Sequence, residues 1–293
     1  MRLDRSLTLA LSRPWRRLAG RPPGPGIPVL MYHSIGAEIS PGRHAYFRTA
    51  TTPGTFLRHM KTLRRRGVRT LTLSQAAFEL ANPSLAPAGP AVALTFDDAY
   101  LDFRTAAWPV LESLGMSATV FVSTAYMGRD FPAGPRCMAT ADVLALARAG
   151  VEIGSHTVTH PQLVDVPRLR LWAELGQSHA TLSGIVGHPV TSFSYPYRFP
   201  SERASFRRQL EAALVECGYR QGVTTTIGIA DTACDSLFMR RLPINDDDDD
   251  ALFAAKLDGD YDWMRRVQSM RKALRRLVPA RTPPTPAAQA ESP

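Results

Sequence analysis

Three short segments of this sequence combine residue types and spacings that could do chemistry. Asp97 and Asp98 follow directly on the apolar run Ala91-Val-Ala-Leu-Thr-Phe. Adjacent carboxylates at the end of an apolar strand are hard to explain by packing, because a buried Asp is costly unless paired or metal-bound. Neighbours on a strand point to opposite sides, but a turn just after it can bring both to one mouth. One could then bind a cation while the other handles a proton; the plain alternative is a pair that caps the next helix. His156 and His160 follow the β-type run Val151–Gly154. Two histidines four apart lie on one face of a helical turn, a spacing that lets two imidazoles grip one metal ion. With the Asp pair they make a two-His, one-carboxylate set, which leaves coordination positions open for water and substrate. The third segment, Phe193-Ser-Tyr195-Pro196-Tyr197-Arg198, places aromatics and a proline at a strand end. It suits the wall of a groove for sugar rings, or an ordinary strand-to-loop transition.

These segments need elements to hold them. β-rich runs at Pro28–His33, Ala91–Phe96, Ser117–Ser123, Val151–Gly154, Val190–Tyr195, Gln221–Thr225 and Phe238–Ile244 predict strands. Between them, Pro53–Arg66, Phe103–Leu114, Thr140–Ala149, Arg168–Ile185 and Ser205–Cys217 predict helices. Strand and helix in turn argue for an α/β fold with a mostly parallel sheet or barrel. Such folds place chemistry at the C-terminal ends of their strands, where all three segments fall.

The chain has 293 residues, 44% hydrophobic and 21% charged, as an ordinary globular domain does. Its net charge of +9 is carried by the flanks. Residues 1–21 hold six Arg and one Asp, residues 264–293 hold seven Lys or Arg and one Glu, and the body is close to neutral. A nucleic-acid surface would put its charge on the folded domain, so no nucleic-acid partner is expected. Trp263, Val267, Met270, Leu274 and Leu277 mark one face of a basic helix. It would either pack on the domain or dock on an anionic membrane as a peripheral contact. Leu7–Leu11 is too short for a secretory core and is followed by more Arg, so no signal peptide is read; a cytoplasmic or inner-face peripheral location is the expectation. The expected organisation is a basic segment and linker over 1–26, a domain over 27–262, the basic amphipathic helix over 263–280 and a disordered tail over 281–293. Asp246 to Asp250 read as a solvated loop, with a calcium site as the weaker alternative.

In their order, Thr95-Phe96-Asp97-Asp98, then His156-x-x-x-His160-Pro161, then Tyr195-Pro196-Tyr197 resemble the polysaccharide deacetylases of carbohydrate esterase family 4. The resemblance runs over roughly 27–262 and implies a distorted (β/α) barrel and hydrolysis of acetyl groups from sugars. It also implies a divalent metal, zinc first, with nickel, cobalt or manganese as alternatives. Carried over residue by residue, Asp98, His156 and His160 would bind the metal and Asp97 would be the general base. Tyr195, Pro196 and Tyr197 would contact substrate, and the Tyr197 N–H would help hold the oxyanion.

Four departures from the family pattern matter. Ala99 and Arg198 stand where the family has Gly, and Ser194 stands where an Arg orients the base. The late Leu-x-His that supplies the general acid is absent, since no His follows His188. The run Pro28–His33 resembles the opening Tyr-His of the biofilm-exopolysaccharide branch, whose motifs are circularly permuted. By that analogy His33 would be the acid, and Arg241 would stand in for the missing base-orienting Arg. The function expected is a metal-dependent hydrolase removing N- or O-acetyl groups from a poly- or oligosaccharide or its precursor. The rivals are a catalytically inactive member that binds a glycan or scaffolds its assembly, and an amidase on a non-sugar acyl substrate.

Overall fold

The structure, a computed structural model, describes residues 2–19, 26–37, 44, 47–132 and 134–277. The tail over 281–293 and most of the expected linker lie outside these residues. Its strands in chain order are β1 (Gly26–Ile27), β2 (Val29–Tyr32), β3 (Arg69–Leu71), β4 (Ala91–Phe96), β5 (Thr119–Val122), β6 (Glu152–Ser155), β7 (Ser192–Ser194), β8 (Gln221–Ile227), β9 (Ala230–Asp231) and β10 (Met239–Pro243). Seven of them form a closed parallel ring in the order β2-β10-β8-β7-β6-β5-β4, and β2 pairs with β4 from Val29↔Ala93 to Tyr32↔Phe96 to shut it. This is the expected distorted (β/α) barrel. Its strands are short and almost wholly buried, as parallel strands covered by helices are.

Each predicted strand is present within a few residues of its expected ends, and β4 matches at both. β3, which adds to the first half of β4, is not legible in the sequence, because Arg69-Thr70-Leu71 has neither length nor alternation. The pair β1–β9 is likewise too short to read.

Helices α3 (Pro53–Arg65), α5 (Trp108–Ser113), α6 (Thr140–Arg148), α7 (Arg168–Val186) and α8 (Ala204–Glu216) fill the connections, after α1 (Leu3–Leu7), α2 (Arg13–Leu18) and α4 (Leu73–Ala81) in their places along the chain. A π turn over Phe103–Ala107 leads into α5. Helix α4 carried a signal: Thr72 and Gln75 form a capping box. The barrel's lower end is closed by polar groups. Glu152 accepts from Ser74 N at 3.1 Å and Thr119 Oγ1 at 2.7 Å, and Gln221 Nε2 donates to Ser192 Oγ at 2.8 Å. The upper rim, at the strand C-termini, is left for the site.

The acidic run is not a solvated loop. Asp246 accepts from Thr52 Oγ1 at 2.6 Å, Asp247 pairs with Arg48, and Asp249 caps α9 (Asp250–Leu257) through Leu252 N. Asp248 is fully buried between Lys256 Nζ at 2.8 Å and Arg2 Nη1 at 3.0 Å. Asp246 to Asp249 thus each have a separate partner, and these residues form no shared cation centre. The N-terminal segment, expected as a basic stretch before a linker, is a continuous helical turn set: α1, a π turn over Thr8–Ser12, and α2. The last helix, α10 (Trp263–Leu277), turns Met264 into the core.

Candidate metal and catalytic site

The three sequence segments meet at the upper rim. Asp97 and Asp98 leave β4, His156 and His160 leave β6, and Ser194 ends β7. Asp98 Oδ1 lies 3.6 Å from His156 Nε2 and 3.4 Å from His160 Nε2. Among the described residues this trio is the one group of His, Cys, Asp or Glu placed to hold a metal ion.

The donor set fits such an ion. Ligands about 2.1 Å from a tetrahedral centre stand about 3.4 Å from one another. Asp98 Oδ1 is buried with no hydrogen-bond partner, a costly state for a carboxylate oxygen unless a cation completes it. His156 Nδ1 lies 2.8 Å from the Ser194 carbonyl oxygen, which can only accept. The proton is therefore on Nδ1, and Nε2 presents a bare lone pair to the centre. Burial and the neighbouring Asp97 charge push the Asp98 carboxyl up to about 7. Burial lowers both histidines, His160 to about 3, so both are neutral as ligands must be.

Asp97 has the opposite environment. Arg241, rising from β10, donates from Nη1 to Asp97 Oδ1 at 2.7 Å and from Nη2 to Oδ2 at 2.8 Å. Its Nε donates to Thr224 O at 3.1 Å, and Ser194 Oγ bridges, accepting from Arg241 and donating to Asp97 at 3.1 Å. Burial alone would raise the Asp97 carboxyl, but the guanidinium outweighs it and holds the group well below the usual carboxylate range. Two adjacent aspartates are thus pushed apart in acidity by their surroundings. That separation is the mark of groups with different tasks.

His33, just after β2, places Nε2 3.9 Å from Asp97 Oδ2, with its side chain 20% exposed. Burial lowers its pKa to about 4, so the imidazole is neutral. The β2 loop behind it is tied down by Ser34 Oγ, which donates to Asp102 at 2.5 Å.

The aromatic wall is only partly as expected. Tyr195 is 2% exposed and packs in a core cluster with Phe199 and Phe206, and Pro196 is buried too. Neither can touch substrate, because the Ser194–Pro196 backbone runs inward to meet β8. Tyr197 does face the site, half-exposed, with its ring 4.5 Å from that of His160.

Backbone strain concentrates here. Among the described residues, the non-glycine residues with positive φ are Asp98, Ala99, Thr157, His160 and Tyr197, all in the three site loops. Ala99, with φ 52°, sits where the family has Gly, and Tyr197, with φ 57°, just before Arg198. Such conformations persist only where surrounding contacts impose them, and they gather at functional sites. One such contact escaped the sequence. Glu174 on α7 accepts from Val158 N at 2.9 Å and Thr159 N at 2.8 Å, clamping the loop between the two histidines. A lone Glu in a helix carries no sign of this; only its burial does.

Residues 85–222 match the family Polysaccharide deacetylase. A curated relative, the Bacillus subtilis (strain 168) protein YxkH, a candidate polysaccharide deacetylase, is 29% identical over 204 residues. That match covers 70% of this chain and 66% of YxkH, just short of two thirds of its length. Among solved structures, the deacetylase PplD of Streptococcus pyogenes, in complex with acetate, superposes with a TM-score of 0.69 at 23% identity, over 79% of this chain and 98% of that one. IcaB from Ammonifex degensii gives 0.64 at 23% identity, over 80% and 98%. These structures share the fold. His33 and Arg241 lie outside the family match, and the barrel alone brings them to it.

Proposed function

We propose that this chain, a member of the polysaccharide deacetylase family, hydrolyses N- or O-linked acetyl groups on a poly- or oligosaccharide or its precursor, with Asp98, His156 and His160 holding a divalent metal ion. The observation that carries the proposal is the divided pair of aspartates: Asp97 locked by Arg241, and Asp98 with a bare oxygen facing two neutral histidines. A divalent metal in that set, zinc above all, supplies Lewis acidity to a carbonyl and to water.

The chain's own groups then divide the remaining work. Asp97 accepts a proton, and the Arg241 fork keeps its carboxylate ionised and fixed in direction. A carboxylate held so acidic is a weak base, so it works only on a proton that is itself acidified. His33 delivers a proton to the departing amine or alcohol. Its imidazole is neutral in the free protein, so the proton it delivers is the one Asp97 has taken up, passed on between Asp97 Oδ2 and His33 Nε2, which lie 3.9 Å apart. Tyr197 offers its backbone N–H to the oxyanion and its ring to a sugar face. Acetate, present with PplD, is the product this reaction would release.

Ser194 motivates the rival of an inactive glycan binder, and its setting speaks against that rival. The guanidinium absent from position 194 arrives from Arg241 instead. The test is acetate release from N-acetylated and O-acetylated oligosaccharides by zinc-loaded protein. Activity removed by a chelator and by Asp97→Asn supports the hydrolase. Saturable glycan binding by zinc-loaded protein with no acetate released would leave the binder.

A further inference from the structure

The N-terminal helical run is packed inside out. A surface helix ordinarily buries its apolar stripe and shows its polar face to water. Here the polar face is the one held against the body. Tyr261 donates to Asp4 Oδ2 at 2.7 Å, Trp263 Nε1 donates to Thr8 Oγ1 at 3.0 Å, Ser12 Oγ donates to Asp260 O at 2.6 Å, and Arg16 Nη1 donates to Gly259 O at 2.5 Å. Asp4 and Thr8 are buried by these contacts.

The opposite face is apolar and bare. Leu3, Leu7, Leu11, Trp15 and Leu18 are between 41% and 87% exposed. Residues four apart drift around an α-helix, but the π turn over Thr8–Ser12 winds more slowly and brings them back into line. The result is one straight ridge of large side chains, fixed outward by hydrogen bonds on its far side. Contiguous exposed apolar surface of this kind marks an interaction site.

Charge identifies the occupant. The tertiary structure brings the two basic flanks together, because Trp263, at the start of α10, bonds to Thr8 in the middle of the N-terminal run. Among the described residues, Arg5, Arg13, Arg16 and Arg17 of the N-terminal run and Arg265 and Arg266 of α10 therefore lie on adjoining elements beside one ridge. Arg17 and Arg266 are exposed there. Part of the charge is met internally, by Asp248, Asp249 and Asp260. A second copy of this chain would bring like charges face to face. A convex ridge also offers no groove for a folded partner. Leucines and a tryptophan on one side with arginines alongside are what a helix lying in a lipid interface presents. No helix among the described residues is long and apolar enough to cross a membrane, so the helix would lie on the surface.

We propose that the Leu3–Leu18 run docks this protein on an anionic phospholipid surface through Leu3, Leu7, Leu11, Trp15 and Leu18, with Arg17 and Arg266 meeting the headgroups. The proposal is independent of the acetyl hydrolysis above. The sequence offered membrane docking as one of two readings of the C-terminal helix; the apolar ridge that suits it is on the N-terminal run.

The test is flotation of the full chain with vesicles of phosphatidylcholine alone and with vesicles about one third phosphatidylglycerol. Wild type should float with the anionic vesicles, weakly with neutral ones, and less as salt rises. Leu11→Ser with Trp15→Ser should weaken binding at least about tenfold, since each exposed side chain loses its burial in lipid. Both positions face solvent, so the variant should keep the wild-type melting temperature. Wild type that does not float, or a variant that floats equally well, would overturn the proposal. So would a wild-type dimer that the variant abolishes, which would give the ridge to a second copy.

Discussion

Arg241 and Asp97 meet through two parallel hydrogen bonds of 2.7 and 2.8 Å although they are 144 residues apart and sit on strands that do not pair. β2 lies between β10 and β4 in the ring, and the guanidinium reaches across above it. Both groups are almost wholly buried and form an ion pair out of reach of water. Removing one partner of a buried pair leaves the other uncompensated, which costs about 3–5 kcal/mol. Arg241→Met should lose about that much stability in urea unfolding. Adding Asp97→Asn to Arg241→Met should restore much of it, because no charge is then stranded. Two losses that simply add would mean the pair is not coupled as its geometry demands.

The metal trio makes a second prediction. Elemental analysis of purified protein should give about one zinc per chain. His156→Ala and Asp98→Asn should each reduce it to a small fraction, with the fold intact by circular dichroism. Wild type that stays empty after incubation with zinc, nickel or cobalt would remove the metal from the proposed chemistry.

His33 should act on turnover alone. It lies 3.9 Å from Asp97 and is not among the metal trio. Losing a general acid lowers kcat by about 10²–10⁴. His33→Ala should show that fall with KM and zinc content near wild type. Kinetics matching wild type would return the acid's role to another group.

Glu174 should matter through the loop it clamps. Glu174→Ala removes Oε2, the one oxygen that accepts from both Val158 N and Thr159 N, together with the Oε1 that accepts from Thr159 Oγ1, and so loosens the turn between His156 and His160. Zinc affinity should fall about 10–100-fold, the usual cost of losing support behind a ligand. Competition with a chromogenic chelator measures it, and an unchanged affinity would make Glu174 a packing residue only.

His59 sets a pH dependence of stability away from the site. Its Nε2 lies 2.7 Å from the Asp248 carbonyl and its Nδ1 3.1 Å from Tyr32 Oη, with the ring stacked 4.1 Å from Phe253. Burial lowers its pKa, so the fold keeps it neutral. Below its ordinary value of about 6.5 the unfolded chain takes up a proton that the folded chain refuses. Its contribution is therefore complete above that pH and shrinks as pH falls through it, by at most about 1.4 kcal/mol per pH unit. The stability advantage of wild type over His59→Gln should narrow between about pH 8 and pH 5. A constant gap would mean that the folded protein protonates His59 freely.

Much of this protein was legible from local sequence, and the reason is local too. Asp97-Asp98 and His156-x-x-x-His160 each sit on one strand end, so short-range spacing already places their members together. Strand and helix alternation announced the parallel barrel, since its buried strands read as short apolar runs. The tertiary structure decided whatever depends on closure of the ring. It brings Arg241 to Asp97, sets His33 beside both, and turns Tyr195 into the core while leaving Tyr197 outside. It gives Asp246, Asp247 and Asp248 partners that no spacing could reveal. It also decides which face of the Leu3–Leu18 run is buried. Hydrophobic pattern alone would bury the leucines, but five hydrogen-bonding residues on the other side find partners across the chain's full length, and they prevail.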